Sequence, residues 1–276
     1  MFEYIKYILN VVKKPLIIWV LAPGAYMMML PMWFSGGEMQ KMVEQKRATL
    51  ESTMGQNELM LNTFGIKDWE AVWTLEGVIT TYLFNLFFPM LIAIASLVLI
   101  NKITAKAEED GTFEFVAALP MTRMNIAFIH SGMVVVMGIL LGQIWPHLIY
   151  LSQLFFADQM SETLKYCSLI TAAFQSSLGA VSFAALGYAA GAVSGRSSRL
   201  WLFGLCFLAF EWTTSVFTIQ VSFFDWYHNT ISSFGAYVDP YNDGLSFGDV
   251  SLVSIKIILF SAIGIIGFKD RSLNLR

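Results

Sequence analysis

Six stretches of this chain are nearly free of Asp, Glu, Lys and Arg, and that pattern constrains the fold more than any other feature. They are Pro15 to Gly37, Gly77 to Asn101, part of Met124 to Ala157, Tyr166 to Gly195, Leu200 to Phe224 around Glu211, and Val250 to Phe268 around Lys256. A hydrocarbon core of roughly 30 Å takes roughly 20 helical residues. Inside lipid every backbone N–H and C=O needs an internal partner, so such stretches fold as spanning helices. The last one spans only if Lys256 snorkels to the interface. The expectation is an all-α integral membrane protein with six transmembrane helices.

Composition supports this. Charged residues make up 13% of the chain and hydrophobic residues 56%, with a mean hydropathy of +0.61. A soluble chain carries roughly 25% charge. Half that amount leaves a surface that lipid must cover. Six spans and their connections use up 276 residues, so the chain reads as a single transmembrane domain, 1–276. The net charge of −3 leaves no basic excess for nucleic acid.

Orientation follows from the 17 Lys and Arg. With the N-terminus inside, Lys6, Lys13, Lys14, Lys102, Lys106, Arg123, Arg196, Arg199, Lys269, Arg271 and Arg276 are cytoplasmic. Lys41, Lys46, Arg47, Lys67 and Lys165 are outside, and Lys256 lies in a span. The positive-inside rule then places both termini in the cytoplasm. The first apolar run follows lysines but has no A-x-A-like site, so it reads as a retained span and not a signal peptide.

Residues 1–14 place Ile5, Ile8, Leu9 and Val12 on one helical face, which predicts an interfacial amphipathic helix ending at Pro15. Segment 35–76 is polar and extracytoplasmic. Glu44, Glu51 and Glu58 recur there at heptad spacing beside Met42, Leu50, Met54 and Leu61, which predicts a helix that breaks at Gly65. Segment 222–250 is the second extracytoplasmic connection.

Several chemistries are absent. No G-x-x-x-x-G-K-[ST] occurs, so the chain has no P-loop. His130, His147 and His228 are scattered, no H-E-x-x-H occurs, and no metal site is expected. Ser194, in Gly191-Ala-Val-Ser194-Gly195, has no histidine in an obvious partner span. Glu108-Glu109 resembles the paired glutamates of intramembrane CAAX-type proteases, but Phe113 stands where that motif has arginine. Cys167 and Cys206 lie in apolar stretches and read as buried free thiols.

The informative connection is 102–123. Glu108, Glu109 and Asp110 precede Gly111. Thr112, Phe113, Phe115, Val116 and Leu119 then make a short apolar face, and Pro120 ends it. A helix there could dock into a groove on another protein, with the acids fixing register. It could equally be a solvated loop helix.

This connection resembles the signature of ATP-binding-cassette (ABC) type-2 permeases, an acid-acid-x-Gly-Thr-x-Glu run leading to Pro-x-x-Arg. Glu108, Glu109, Gly111, Thr112, Glu114, Pro120 and Arg123 occupy its places. Asp239-Pro240 with Gly244-Leu245 resembles the family's outer D-P-x-x-x-G-L element. Gly267 to Arg271 resembles its aromatic-and-basic tail, with Asp-Arg where the family has Arg-Asp, and Phe64-Gly65-Ile66 is family-like too.

The resemblance implies a type-2 ABC exporter permease fold with an interfacial N-terminal helix, six spans and a cytoplasmic coupling helix at about 107–119. Glu108, Glu109, Gly111, Thr112, Glu114, Phe115, Pro120 and Arg123 would couple it to an ABC ATPase subunit. It implies a dimer with a second permease protomer, identical or related. It also implies that the chain is not itself an enzyme. ATP and Mg would bind the partner and no cofactor would bind this chain directly. The expected setting is a bacterial cell membrane, and the expected cargo an amphipathic peptide, antibiotic or drug.

Two other readings stand beside it. One is a non-transporting scaffold or sensor that uses the same loop to bind a cytoplasmic partner. The other is an ion-coupled secondary transporter, which wants several intramembrane charges, whereas Glu211 stands alone.

Glu211 must face protein or water. It reads as a contact in a translocation path, as a hydrogen-bonded group between helices, or as a residue near the outer interface. Gly179, Gly187, Gly191 and Gly195 let the fourth span approach its neighbours closely. Trp19, Trp33, Trp69, Trp73, Trp201, Trp212 and Trp226 suit interfacial belts.

Overall fold

The computed structural model describes residues 1–35, 74–160, 163–218, 220–237 and 241–272, with positions 41, 45, 49 and 52. The expected helix through Glu44, Glu51 and Glu58, Phe64 to Ile66, Asp239 and Pro240 lie outside the described residues. Among the described residues all regular structure is helical. This is an all-α membrane protein.

Helix α1 spans Phe2–Ser35. A short α2 (Leu75–Gly77) leads into a π-helical stretch, Val78–Phe87, and then α3 (Phe88–Ile103). Two one-turn helices follow, α4 (Ala105–Glu109) and α5 (Phe113–Ala117). The long helices α6 (Arg123–Phe156) and α7 (Tyr166–Ser194) come next, then α8 (Ser197–Val216), α9 (Ser222–Thr230) and α10 (Phe247–Asp270).

Among the described residues five helical runs are long and apolar enough to cross a membrane: α1, Leu75–Glu109, α6, α7 and α10. Helix α8, though 20 residues long, is not one of them. Arg199, Glu211, Thr213, Thr214 and Ser215 dilute its apolar character.

Helix α7 is the axis of the bundle and packs against α3, α6, α8 and α10. Its buried face is built from small residues, among them Ala172, Ala173, Gly179, Ala180, Ala184 and Gly187. With lipid as solvent, close van der Waals approach drives helix association, and small residues permit it. A side chain at Gly187 would collide with Leu97 and Leu200, and one at Gly191 with Leu200. These glycines therefore pack α7 within the chain, as their spacing predicts.

Three expectations are corrected. The N-terminal helix does not end at Pro15: α1 runs through Pro15, Pro23 and Pro31. Its inward face is Tyr4, Ile8 and Val12, while Leu9 is exposed. A proline removes one ladder bond, and neighbouring groups can meet the freed carbonyls. Pro31 frees the Met27 carbonyl, and at the next carbonyl Ser152 Oγ donates to Met28 O at 2.5 Å, which ties α1 to α6 beside the missing bond.

The thiols of Cys167 and Cys206 are exposed, not buried. An apolar stretch in a membrane protein carries small hydrophobes on its lipid face as well as in its core. Lys256 does not snorkel outward either. It is 9% exposed and turns into the bundle.

Candidate functional site

Two polar centres, one around Glu108 and one around Glu211, join the helices, and turns between helices form them. Helix α3 stops at Thr104, whose backbone leaves the helical region (φ −119°, ψ −106°). Its hydroxyl returns to Ile100 O at 2.7 Å. Helix α4 carries Glu108 and Glu109, is capped by Asp110 and is followed by Gly111, which has φ +74°. Only glycine takes that conformation without strain. The expected single helix over 107–119 is therefore two helices at a left-handed corner, with Thr112 Oγ1 closing it on Ala107 O at 3.0 Å.

The expected apolar docking face divides in two. Phe113 and Val116 turn into the core, at 1% and 4% exposure, while Phe115 stands out at 77%. Phe113 packs edge-on against His130 of α6 and Phe268 of α10. The same imidazole is hydrogen-bonded to the Tyr4 hydroxyl of α1 at 2.5 Å. Glu114 and Pro120 are exposed beside Phe115.

Glu108 is turned inward. Arg271, the C-cap residue of α10, forks onto it: Nη1 donates to Oε1 at 2.6 Å and Nη2 donates to Oε2. Its Nε donates to Ala192 O of α7 at 2.5 Å, and its guanidinium lies over the Phe268 ring at 5.3 Å. Bidentate pairing adds directional specificity to charge. Gly195 caps α7 with φ +66° and roofs the pair. A side-chain carbon there would sit 2.7 Å from Arg271 Nη1 and 2.9 Å from Glu108 Oε1.

Glu109 accepts from the backbone N–H of Ser197 at 2.7 Å. That N–H belongs to the first turn of α8, which has no partner within its own helix, and a carboxylate there also meets the positive end of the helix dipole. Ser197 Oγ donates to Asn101 Oδ1 of α3 at 2.5 Å. Arg123 donates to Arg271 O at 2.9 Å. Glu108, Glu109 and Arg123 are thus brought together with Gly195, Ser197 and Arg271, which sequence reasoning did not single out as site residues. The signal for Gly195 was a glycine closing an apolar run; for Arg271 it was its place in the tail motif.

The second centre lies toward the other end of α8. Glu211 has no exposed surface. Its Oε1 accepts from Lys256 Nζ at 2.7 Å and from the Tyr227 hydroxyl at 3.0 Å. Its Oε2 accepts from Ser233 N at 2.5 Å and from Ser232 Oγ at 3.1 Å. Lys256 also donates to Ser233 Oγ at 2.9 Å and lies 5.6 Å from the Phe207 ring. Glu211 therefore does not stand alone, and the network fastens α9 and the 231–236 turn onto α8 and α10. Burial, then the charge of Glu211 and the bond to it, raises the Tyr227 phenol above its ordinary range, so it stays a donor.

Gly244 makes a turn at φ +76° before α10 and contacts neither centre. Among the described residues no group of His, Cys, Asp and Glu could hold a metal. Ser194 Oγ donates to Ala190 O at 2.6 Å. A cavity of about 220 Å³ lies between α1 and the π-helical stretch, lined by Tyr26, Leu30, Trp33, Phe34, Val78, Leu83 and Phe87. Both polar centres hold helices together by fully partnered charges. No family model, no curated protein and no solved structure matches this chain.

Proposed function

We propose that this chain is the membrane-spanning permease subunit of an ATP-driven exporter of the ABC type-2 class. It works as a dimer, with itself or a related chain, and each protomer docks on a separate ATPase subunit that binds ATP and Mg. In this reading α8 is the fifth of six spans, both termini are cytoplasmic, and the membrane is a bacterial cell membrane. The cargo is an amphipathic peptide, antibiotic or drug.

One observation carries the reading: Phe115 projects at 77% exposure from a corner whose base is tied down on two sides. An exposed aromatic is a typical anchor for a groove on another protein. A knob that other helices hold at its root can pass a push into the bundle. Glu114 and Asp110 flank it with negative charge, which suits a basic rim on the partner. ATP-driven closure of the ATPase pair then favours one of two states of the permease dimer.

The bonds around Glu211 support a holding role for that residue within the bundle. The test is to purify the chain in mild detergent from its native membrane and assay what comes with it. A co-purifying P-loop ATPase that is lost on Phe115→Ala supports the reading. A well-folded chain without any ATPase partner moves the reading to a scaffold or sensor.

A further inference from the structure

We infer that Arg271 is the positioning residue through which movement of the 105–117 corner reaches the last span, α10. The inference rests on the permease reading above and adds a route to it.

The covalent joints of the corner are the wrong ones to carry a push. Toward α3 the chain leaves helical geometry at Thr104. Toward α6 it passes through non-helical residues 118–122 before Thr122 caps the next helix. Soft joints absorb displacement by small dihedral changes.

The non-covalent joint to α10 is stiffer. Arg271 and Glu108 are joined by two parallel bonds, and their side chains are only 13% and 2% exposed. Water cannot readily compete for a pair so enclosed. The fork fixes angle as well as distance. Arg271 directly follows Asp270, the last residue of α10, so the carboxylate of the corner grips the end of that helix. Phe113 adds an apolar contact with the same helix, 5.7 Å from Phe268.

Helix α10 then leads onward. Lys256 precedes Arg271 by about 22 Å of helix and is bonded to Glu211. Glu211 holds the Tyr227 and Ser232 hydroxyls and the Ser233 backbone N–H. A displacement entering at Glu108 can therefore arrive at α9 through polar contacts at the C-terminal end and the middle of one helix.

The test uses spin labels at Ala118, the C-cap of α5, whose N–H is bonded to Glu114 O of the corner at 3.1 Å, at Leu140 on α6 and at Ile258 on α10, in a Cys167→Ser, Cys206→Ser background. Pairwise distances are measured by pulsed electron resonance on the complex with its ATPase, nucleotide-free and ATP-trapped. The expected result is that 118–258 stays constant while 140–258 shifts. In Arg271→Ala the ATPase is still captured, the 140–258 shift disappears, and cargo moved per ATP falls by about tenfold or more. Arg271→Lys keeps the charge but not the fork and recovers part of both.

A wild-type complex in which 118–258 changes while 140–258 does not overturns the route and leaves the permease reading intact. So does an Arg271→Ala complex that keeps the full shift. A wild-type chain that captures no ATPase overturns both together.

Discussion

Lys256 Nζ and Glu211 Oε1 lie 2.7 Å apart inside the bundle, although each residue is the lone charge in its own apolar stretch. Two buried charges that would each be costly in lipid become tolerable because they meet and because serine and tyrosine donors complete the carboxylate's shell. Removing one partner leaves the other uncompensated. Glu211→Ala or Lys256→Ala alone should therefore destabilise by about 3–5 kcal/mol. Replacing the pair together, as Glu211→Ala with Lys256→Ala, should cost less than the two single changes summed. Thermal unfolding in detergent, read as a double-mutant cycle, checks both.

At Gly195 two demands coincide, a left-handed backbone at φ +66° and no room for a side chain beside Arg271 and Glu108. Gly195→Ala should cost about 1–2 kcal/mol from the backbone alone and more from the displaced pair. Combining it with Arg271→Ala should shrink the second contribution, because the nearest colliding atom is gone and only Glu108 Oε1, at 2.9 Å, remains. The same unfolding assay measures whether the two changes are less than additive.

Phe113 and Phe115 are two residues apart and have opposite roles. Phe113→Ala removes a buried ring and should destabilise by about 3–5 kcal/mol. Phe115→Ala alters only an exposed side chain and should change stability by less than about 0.5 kcal/mol, while abolishing capture of the ATPase. Unfolding and co-purification, run on the same two variants, separate folding from docking.

Tyr4 fastens the start of α1 to His130. Tyr4→Phe keeps the ring and removes the hydroxyl, leaving a buried imidazole nitrogen short of a partner, at a cost of about 1–3 kcal/mol. Amide hydrogen exchange should rise in residues 2–12 ahead of the rest of α1. Uniform exchange along the helix would count against this anchoring role.

Cys206 sits on an exposed face of α8, which the permease reading proposed above places against lipid. A spin label attached there in detergent and reconstituted should be relaxed more by oxygen, which concentrates in the bilayer, than by a water-soluble nickel chelate. The opposite ranking would place this face of α8 in water.

Much of the architecture was legible because lipid imposes a blunt rule: runs without charge become helices. The small-residue spacing of α7 was readable for the same reason. The 105–117 corner was only partly legible. A glycine after three acids signals a break, yet the apolar residues that follow have the spacing of one continuous face. Nothing local says that Phe113 and Val116 turn inward while Phe115 turns out, since that choice is made by Phe268 and His130, far away in the chain.

The charges mark the boundary most sharply. By itself the sequence determined that Glu211 and Lys256 lie in apolar stretches and must be neutralised or hydrated, because an isolated charge in hydrocarbon is too costly to persist. It also determined a helical membrane protein, since half the usual charge cannot coat a soluble surface. The partners come from the packing of the bundle: Lys256 for Glu211, Arg271 for Glu108, Ser197 for Glu109. Those pairings join residues 45, 163 and 88 positions apart. Helix periodicity reaches only three or four residues along the chain, so which charges meet is settled by how the helices pack.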